Sequence, residues 1–136
     1  MSTVRIGFTG NRYGLNQSQI EEIKKIIESH DNIIVSHGDC VGSDTEFHNI
    51  CVSYKEQFNK NISIHIYPSF NPVMRAFNKG DVIMKEKQYL QRNLDIINNS
   101  DMLIACPVDK NVEEMRSGTW VTIRHAKKQG MTVHIL

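Results

Sequence analysis

The chain has few cysteines, almost no net charge and no long apolar run, and each of these absences excludes a class of protein. Its three cysteines, Cys40, Cys51 and Cys106, show no Cys-x-x-Cys spacing, so the sequence predicts neither a disulfide framework nor a zinc site. Sixteen basic residues against fifteen acidic residues disfavour a protein that coats nucleic acid through its phosphates. No apolar run reaches the roughly 20 residues of a membrane span.

The remaining composition is typical of a single globular domain, expected to span residues 1–136, because 40% of the residues are hydrophobic and 23% are charged. Met1 leads directly into a strand pattern, without the features of a signal peptide. An odd number of cysteines without disulfide spacing favours a reducing compartment. We therefore expect a cytoplasmic protein, or one of the host cytoplasm if the source is a virus.

Apolar strand patterns alternate with amphipathic helical patterns along the chain. Strands are expected at 4–8, 32–36, 62–67, 101–106 and 131–136, and helices after Asn16, from Gly42 to about Phe58, over 84–98 and over 118–128. This alternation predicts right-handed βαβ units. The expected fold is α/β: a Rossmann-like single domain with a mainly parallel five-stranded sheet, order 3-2-1-4-5, and helices on both faces.

The segment 68–83 interrupts this alternation. It contains Pro68, Pro72 and Gly80 and lacks a clear period. A connection of this length in a compact domain is usually functional or mobile. Two interpretations stay open: a loop near the mouth of a ligand site, or a disordered insertion.

Three polar, glycine-bearing turns follow strands of the predicted sheet. They are Thr9 to Arg12, His37 to Asp44, and Pro107 to Thr119. Ligands of open parallel sheets bind beyond the carboxyl ends of the strands, where the strand order reverses. All three turns lie on that edge if the sheet is parallel, which predicts a phosphate- or nucleotide-binding edge.

The motif Ser117-Gly118-Thr119 opens the last predicted helix directly after this edge. A glycine allows close approach of a ligand, and the free N–H groups of the first helical turn attract an anion. The alternative is an ordinary serine or threonine N-cap. The chain has no Gly-x-Gly-x-x-Gly after its first strand and no Walker Gly-Lys-Ser/Thr, which disfavours a standard dehydrogenase or P-loop NTPase.

The ordered set of motifs resembles the SLOG superfamily, the Rossmann-like group that includes the DNA-processing protein A family and the Lonely Guy phosphoribohydrolases. The likeness is greatest to its small YspA-type branch. It rests on Gly7 to Arg12, on His37 to Asp44, on Arg92-Asn93 and on Ser117 to Thr119. This resemblance covers nearly the whole chain and implies a nucleotide or nucleotide-derived ligand at the predicted edge.

One position departs from the pattern of the related enzymes. Phosphoribohydrolases of this superfamily place a working glutamate three residues after the threonine of Gly-Thr, and here that position is Thr122. A hydroxyl cannot supply the negative charge of a carboxylate. The catalytic assignment therefore stays open, with Glu113, Glu114 and Asp44 as the candidate acids.

Several candidate ligand residues have a second interpretation. Arg12 could clamp a phosphate or be a solvated loop residue; Asp44 could hold a ribose hydroxyl or cap its helix. His37 could be structural, Arg92 could pair with Asp95 or Glu86, and Trp120 could stack on a base or belong to the core or to a dimer contact. The full set of candidate ligand residues is Thr9, Gly10, Asn11, Arg12, His37, Gly38, Gly42, Ser43, Asp44, Arg92, Asn93, Pro107, Arg116, Ser117, Gly118, Thr119 and Trp120.

Three functions are compatible with these residues. The preferred one is a homo-oligomeric sensor or sequestering protein for a nucleotide or nucleotide-derived signal, without a metal or other cofactor. The second is a nucleotide phosphoribohydrolase or N-glycosidase with a rearranged acid. The third is a single-stranded DNA binder, which would require a basic stripe formed by Arg75, Lys79, Lys85 and Lys87.

Overall fold

A computed structural model describes residues 2–136 and contains six strands and four helices within that range. They are β1 (Val4–Gly10), α1 (Gln17–Glu28), β2 (Asn32–His37), α2 (Ser43–Gln57), β3 (Asn61–Ile66), β4 (Val82–Ile83), α3 (Tyr89–Asn98), β5 (Met102–Cys106), α4 (Gly118–Lys128) and β6 (Thr132–Ile135). The strands form one parallel sheet in the order β4-β3-β2-β1-β5-β6.

The prediction of an α/β fold with a parallel sheet is confirmed, but the prediction of five strands is wrong. The sheet has a sixth strand, β4, which pairs with the end of β3 at the outer edge. The five strands that were expected occur in the expected relative order. Because β4 has only two residues, it shows no alternation that a sequence pattern could reveal.

Helices cover both faces of the sheet, and the strand side chains alternate between them. Ile104 and Cys106 belong to a core cluster that includes residues of α1 and α2. Leu103 and Ala105 belong to a second cluster that includes residues of α3 and α4. This division follows from the two-residue period of a strand, since neighbouring residues of β5 point to opposite faces.

The prediction that Asn16 caps the start of α1 is confirmed. Asn16 Oδ1 accepts a hydrogen bond from Gln19 N–H (2.8 Å), and Gln19 Oε1 accepts one from Asn16 N–H (2.9 Å). This reciprocal capping box satisfies backbone donors that a helix start leaves unpaired. The asparagine that was identified as an N-cap therefore fixes where α1 begins.

The third helix begins later than expected, at Tyr89 rather than Met84. Backbone hydrogen bonds direct the preceding residues elsewhere: Met84 N–H donates to Ile66 O (2.8 Å), and Lys87 N–H donates to Pro68 O (3.2 Å). Residues that bond to an adjacent strand cannot enter a helix at the same time. Helical spacing alone does not reveal that competition.

Residues 68–88, called the strap below, follow a path fixed by hydrogen bonds to the turn after β2. Ala76 N–H donates to Asp39 O (2.7 Å), and Val41 N–H donates to Met74 O (2.9 Å). The Asp39 carboxylate also pairs with Arg75 Nε (3.2 Å). The strap is therefore an ordered loop that contains β4 and is held by hydrogen bonds, rather than a disordered insertion.

Candidate functional site

A cleft with a volume of about 920 Å³ lies at the carboxyl ends of β1 and β5. The chain leaves β1 towards β2 on one side, while β5 and β6 lie on the other side. The strand order therefore reverses between β1 and β5. In open α/β sheets this crevice is the place where ligands bind.

About half of the residues identified from sequence line this cleft. They are Gly10, Asn11, Arg12, Asp44, Arg92, Arg116, Ser117, Gly118 and Thr119, together with the candidate acid Glu114. The first, second and third predicted turns each contribute residues. The structure thus brings together turns that lie far apart in the sequence.

The other candidates do not line the cleft. They are Thr9, His37, Gly38, Gly42, Ser43, Asn93, Pro107 and Trp120, and the acid Glu113. Trp120 packs in the core cluster shared with α3, and Glu113 forms an ion pair with Arg124 (2.8 Å).

His37 is completely buried and fully occupied by protein partners. Its Nδ1 accepts a hydrogen bond from Asp39 N–H (2.9 Å), and its Nε2 lies 2.9 Å from His48 Nδ1. Since Nδ1 is the acceptor, Nε2 carries the proton and donates to His48. Burial and the neighbouring His48 lower the pKa of His37 to about 3. His37 is therefore a neutral structural residue that orders the second turn.

Arg92 is buried and does not form the surface ion pair that was considered for it. Its Nη1 donates to Gly38 O (2.6 Å) and to Tyr67 O (3.0 Å), which ties α3 to the ends of β2 and β3. A Cβ at position 38 would collide with this guanidinium, so the glycine is required by Arg92 rather than by a ligand. The expected partner Asp95 pairs with Lys87 instead (2.7 Å).

Asp44 is a nearly buried carboxyl group in the cleft. It does not cap α2, because its Oδ2 accepts a hydrogen bond from Cys40 N–H (3.1 Å) and the N-cap residue is Gly42. Burial raises the pKa of Asp44 from 3.8 to about 6, although nearby Arg92 favours the charged form. A carboxyl group with a raised pKa inside a cleft is a candidate functional group.

Cys40 also lines the cleft, but it is not an activated nucleophile. Burial and the adjacent Asp44 raise the pKa of its thiol to about 11. The thiolate is the reactive form of cysteine, and it is scarce at neutral pH when the pKa is this high.

The start of α4 presents unpaired backbone donors. Ser117 Oγ accepts a long hydrogen bond from Trp120 N–H (3.4 Å), which makes Ser117 the N-cap. Within residues 2–136, the N–H groups of Gly118 and Thr119 donate no hydrogen bond. A Cβ at position 118 would collide with the Tyr89 hydroxyl. The motif is therefore both a helix cap and a set of free donors beside the cleft.

Thr122, which replaces the glutamate of the related enzymes, is buried and lies outside the cleft lining. Its hydroxyl donates to Gly118 O within α4 (2.9 Å). This bond occupies the side chain locally, as threonine hydroxyls often do in helices. Of the three candidate acids, only Asp44 and Glu114 line the cleft.

Other residues of the cleft were not identified individually from the sequence. They are Tyr13, Cys40, Val41, Ser69, Asn71, Met74, Tyr89, Val108, Asp109 and Val112. Most of them lie within the predicted turns or the strap. Tyr13 and Tyr89 do not. Tyr89 precedes Arg92 by three residues on α3, a spacing that brings helix side chains together and was an available signal, whereas Tyr13 follows Arg12 in a turn and has no such spacing.

Within residues 2–136, no group of three metal-binding side chains is placed to hold a metal ion. None of the described helices is long and apolar enough to cross a membrane. No protein-family model matches the chain, and no curated protein matches it.

Proposed function

We propose that the protein binds a nucleotide or a nucleotide-derived signalling molecule in the cleft between β1 and β5, and acts as a sensor or a sequestering protein. The resemblance to the SLOG superfamily supports this ligand class. The compartment proposed for this activity is the cytoplasm, or the host cytoplasm if the source is a virus.

One observation carries the proposal: cationic groups without an ion pair and backbone donors without an acceptor meet in the cleft where the strand order reverses. Arg12 and Arg116 line the cleft and form no ion pair with any residue among 2–136. The N–H groups of Gly118 and Thr119 are also without partners in that range. Guanidinium groups and helix N-termini are the donors that phosphate prefers in proteins.

The second turn supplies a hydrogen-bond acceptor rather than a donor. Asp44 lies in the same cleft and retains acceptor capacity beyond the bond from Cys40 N–H. A carboxylate accepts hydrogen bonds from the hydroxyl groups of a ribose, as the acidic residue of dinucleotide sites does. The cleft therefore offers separate partners for the phosphate and for the sugar.

A phosphoribohydrolase or N-glycosidase activity is the second candidate, and one observation favours it. Asp44 and Glu114 both line the cleft, and the pKa of about 6 at Asp44 suits a group that donates and accepts a proton near neutral pH. Base release from nucleoside monophosphates, assayed by chromatography and lost in Asp44→Asn, is the result that would replace the binding function with this one.

Single-stranded DNA binding is not proposed, because the basic stripe it requires is partly neutralised. Arg75 pairs with Asp39 and Glu86, and Lys87 pairs with Asp95. Ion pairs of this kind reduce the positive field that a phosphate backbone would meet. Only Lys79 and Lys85 of the expected stripe lack an ion pair among the described residues.

The binding function is tested by thermal shift with a panel of mononucleotides, dinucleotides and cyclic nucleotides. A ligand that binds only the native state raises the melting temperature, so at least one member of the panel should do so. Arg116→Gln should weaken the response about tenfold or more in apparent Kd, because a hydrogen bond between charged groups contributes about 1.5–3 kcal/mol.

Lys110→Gln is the matched control for that variant. It removes a positive charge from the same connection after β5, but Lys110 is exposed and does not line the cleft. Its Kd should equal that of the unmodified protein. A panel without any shift, or equal losses in both variants, would argue against a phosphate site at the start of α4.

A further inference from the structure

Two tyrosines line the cleft, and both have substantial exposure to solvent. Tyr13 is 76% exposed and Tyr89 is 45% exposed. Two other aromatic side chains near this edge, Trp120 and Phe8, are buried in core clusters. Exposed aromatic rings inside a cleft are suited to stacking on a planar ligand group.

Each tyrosine is accompanied by its own arginine. The Arg12 guanidinium carbon lies 5.1 Å from the centroid of the Tyr13 ring, and that of Arg92 lies 5.2 Å from the centroid of the Tyr89 ring. Arg12 Nη2 also donates to the Tyr13 hydroxyl (3.0 Å). These contacts restrict each ring before a ligand arrives, which reduces the conformational entropy lost on binding.

Each aromatic pair also stands next to a different helix start. A Cβ at Gly42, which precedes α2, would collide with the backbone carbonyl of Arg12. A Cβ at Gly118, which opens α4, would collide with the Tyr89 hydroxyl. Both glycines therefore allow a tyrosine and arginine pair to lie beside the first turn of a helix. The cleft lining therefore contains two tyrosine and arginine pairs, one beside the start of α2 and one beside the start of α4.

From this duplication we infer that the ligand is a dinucleotide, with one base against Tyr13, the second base against Tyr89 and the phosphates between them. The inference rests on the proposed nucleotide-binding function and specifies its ligand class. The cleft volume of about 920 Å³ lies near the upper end of the range for small-molecule sites, roughly 300–1,000 Å³. A ligand with two bases can fill that volume and stack on both aromatic rings, whereas a mononucleotide can stack on only one ring.

The test measures the Kd of AMP, GMP, NAD+, cyclic di-AMP and cyclic di-GMP by isothermal titration calorimetry. At least one of the three dinucleotide-type probes should bind at least tenfold more tightly than either mononucleotide. Tyr13→Ala and Tyr89→Ala should each weaken that probe about tenfold, because a stacked base contributes about 1–3 kcal/mol. Tyr13→Phe and Tyr89→Phe keep the stacking surface and should retain most of the affinity.

The outcomes separate this inference from the function on which it rests. Mononucleotides that bind as tightly as every dinucleotide probe, or a dinucleotide whose Kd depends on only one of the two tyrosines, would overturn the two-base ligand and leave nucleotide binding in place. No binding by any nucleotide would overturn the proposed function itself. Unchanged melting temperatures of the ligand-free tyrosine variants would show that the losses are not due to unfolding.

Discussion

At the scale of single residues, Asp44 lies in the cleft, and the burial of its charged form lowers the stability of the fold. Its carboxyl group is nearly buried, and burial raises its pKa to about 6, above the 3.8 of an unperturbed aspartate. The folded protein therefore binds this proton more tightly than the unfolded chain does. Its contribution to stability is fully present below about pH 4 and is lost as the pH rises through 6.

We expect Asp44→Asn to stabilise the protein at pH 8, by about 3 kcal/mol at most, because the amide cannot become charged and can still accept the bond from Cys40 N–H. At pH 4 the variant and the unmodified protein should differ little. Urea unfolding at pH 4, 6 and 8 measures this difference in the free energy of unfolding.

Glu114→Gln is the control for that experiment, since Glu114 lines the same cleft but is exposed. Its free energy of unfolding should follow that of the unmodified protein at every pH. A gain from Asp44→Asn that is equally large at pH 4 and pH 8 would mean that the charge of Asp44 is not the cause.

The position of polar residues at the cleft edge was predictable from sequence, but the role of each residue was less so. Arg12 and Arg116 were selected because they stand in or next to turns after strands, and both line the cleft. His37 was selected on the same basis and Arg92 from the resemblance to the SLOG superfamily, yet both are buried and bonded to the protein. Their partners come from other strands and helices, so local sequence cannot distinguish a ligand contact from a structural one.

At the scale of elements, the strap depends on one buried carboxylate. Asp39 is fully buried, and its side chain accepts hydrogen bonds from Arg75 Nε (3.2 Å), Asn78 N–H (3.0 Å) and Asn78 Nδ2 (3.0 Å). The backbone of Asp39 is in the left-handed region, with φ 58°. Asparagine tolerates this conformation as well as aspartate does.

Asp39→Asn should therefore remove the charge of the carboxylate without straining the backbone. We expect it to lower the free energy of unfolding by about 3 kcal/mol, because Arg75 loses a buried partner. Trypsin should also cleave the strap faster, after Arg75 and Lys79. Denaturant unfolding and limited proteolysis followed by mass spectrometry measure the two effects.

Lys87→Gln provides the comparison within the same strap. It breaks an ion pair with Asp95 that is partly exposed, and ion pairs at the surface contribute about 0–1 kcal/mol. Asp39→Asn should lower the free energy of unfolding, and speed trypsin cleavage, clearly more than Lys87→Gln does. Equal effects would show that the strap does not depend on Asp39.

Elements with a long and consistent period were predictable, and short ones were not. The isoleucines of α1 repeat at helical spacing behind a capping asparagine, so both the helix and its start followed from sequence. β4 has two residues, and the start of α3 is set by backbone bonds to β3 and to Pro68. Neither feature leaves a periodic signal in the chain.

At the scale of the whole molecule, the position of the cleft follows from the order of the strands in the sheet. The strand order reverses between β1 and β5, as the predicted order with helices on both faces requires, and a reversal creates a crevice at the carboxyl edge. The two aromatic pairs of that crevice were not predictable in the same way. Tyr13 lies just beyond the first turn and Tyr89 opens a helix, and only the folded chain places them on one cleft.

The strap also carries three exposed apolar side chains, Phe70, Val73 and Phe77, with exposures of 63%, 81% and 60%. Exposed apolar groups of this size often mark contacts between proteins. We propose that they contribute to the contact of a homo-oligomer. Light scattering after size exclusion should then give a mass that is a multiple of the 15.6 kDa chain.

Val73→Asp should shift that mass to 15.6 kDa at micromolar concentration, because a carboxylate in an apolar contact loses its hydration without gaining a partner. The substitution should leave the fold intact, since Val73 is exposed. Phe58→Glu, at the C-terminal end of α2 and outside the strap, places a charge on another exposed apolar residue and should keep the oligomer. A chain that is monomeric without any substitution, or an oligomer disrupted equally by both variants, would show that the strap is not the contact.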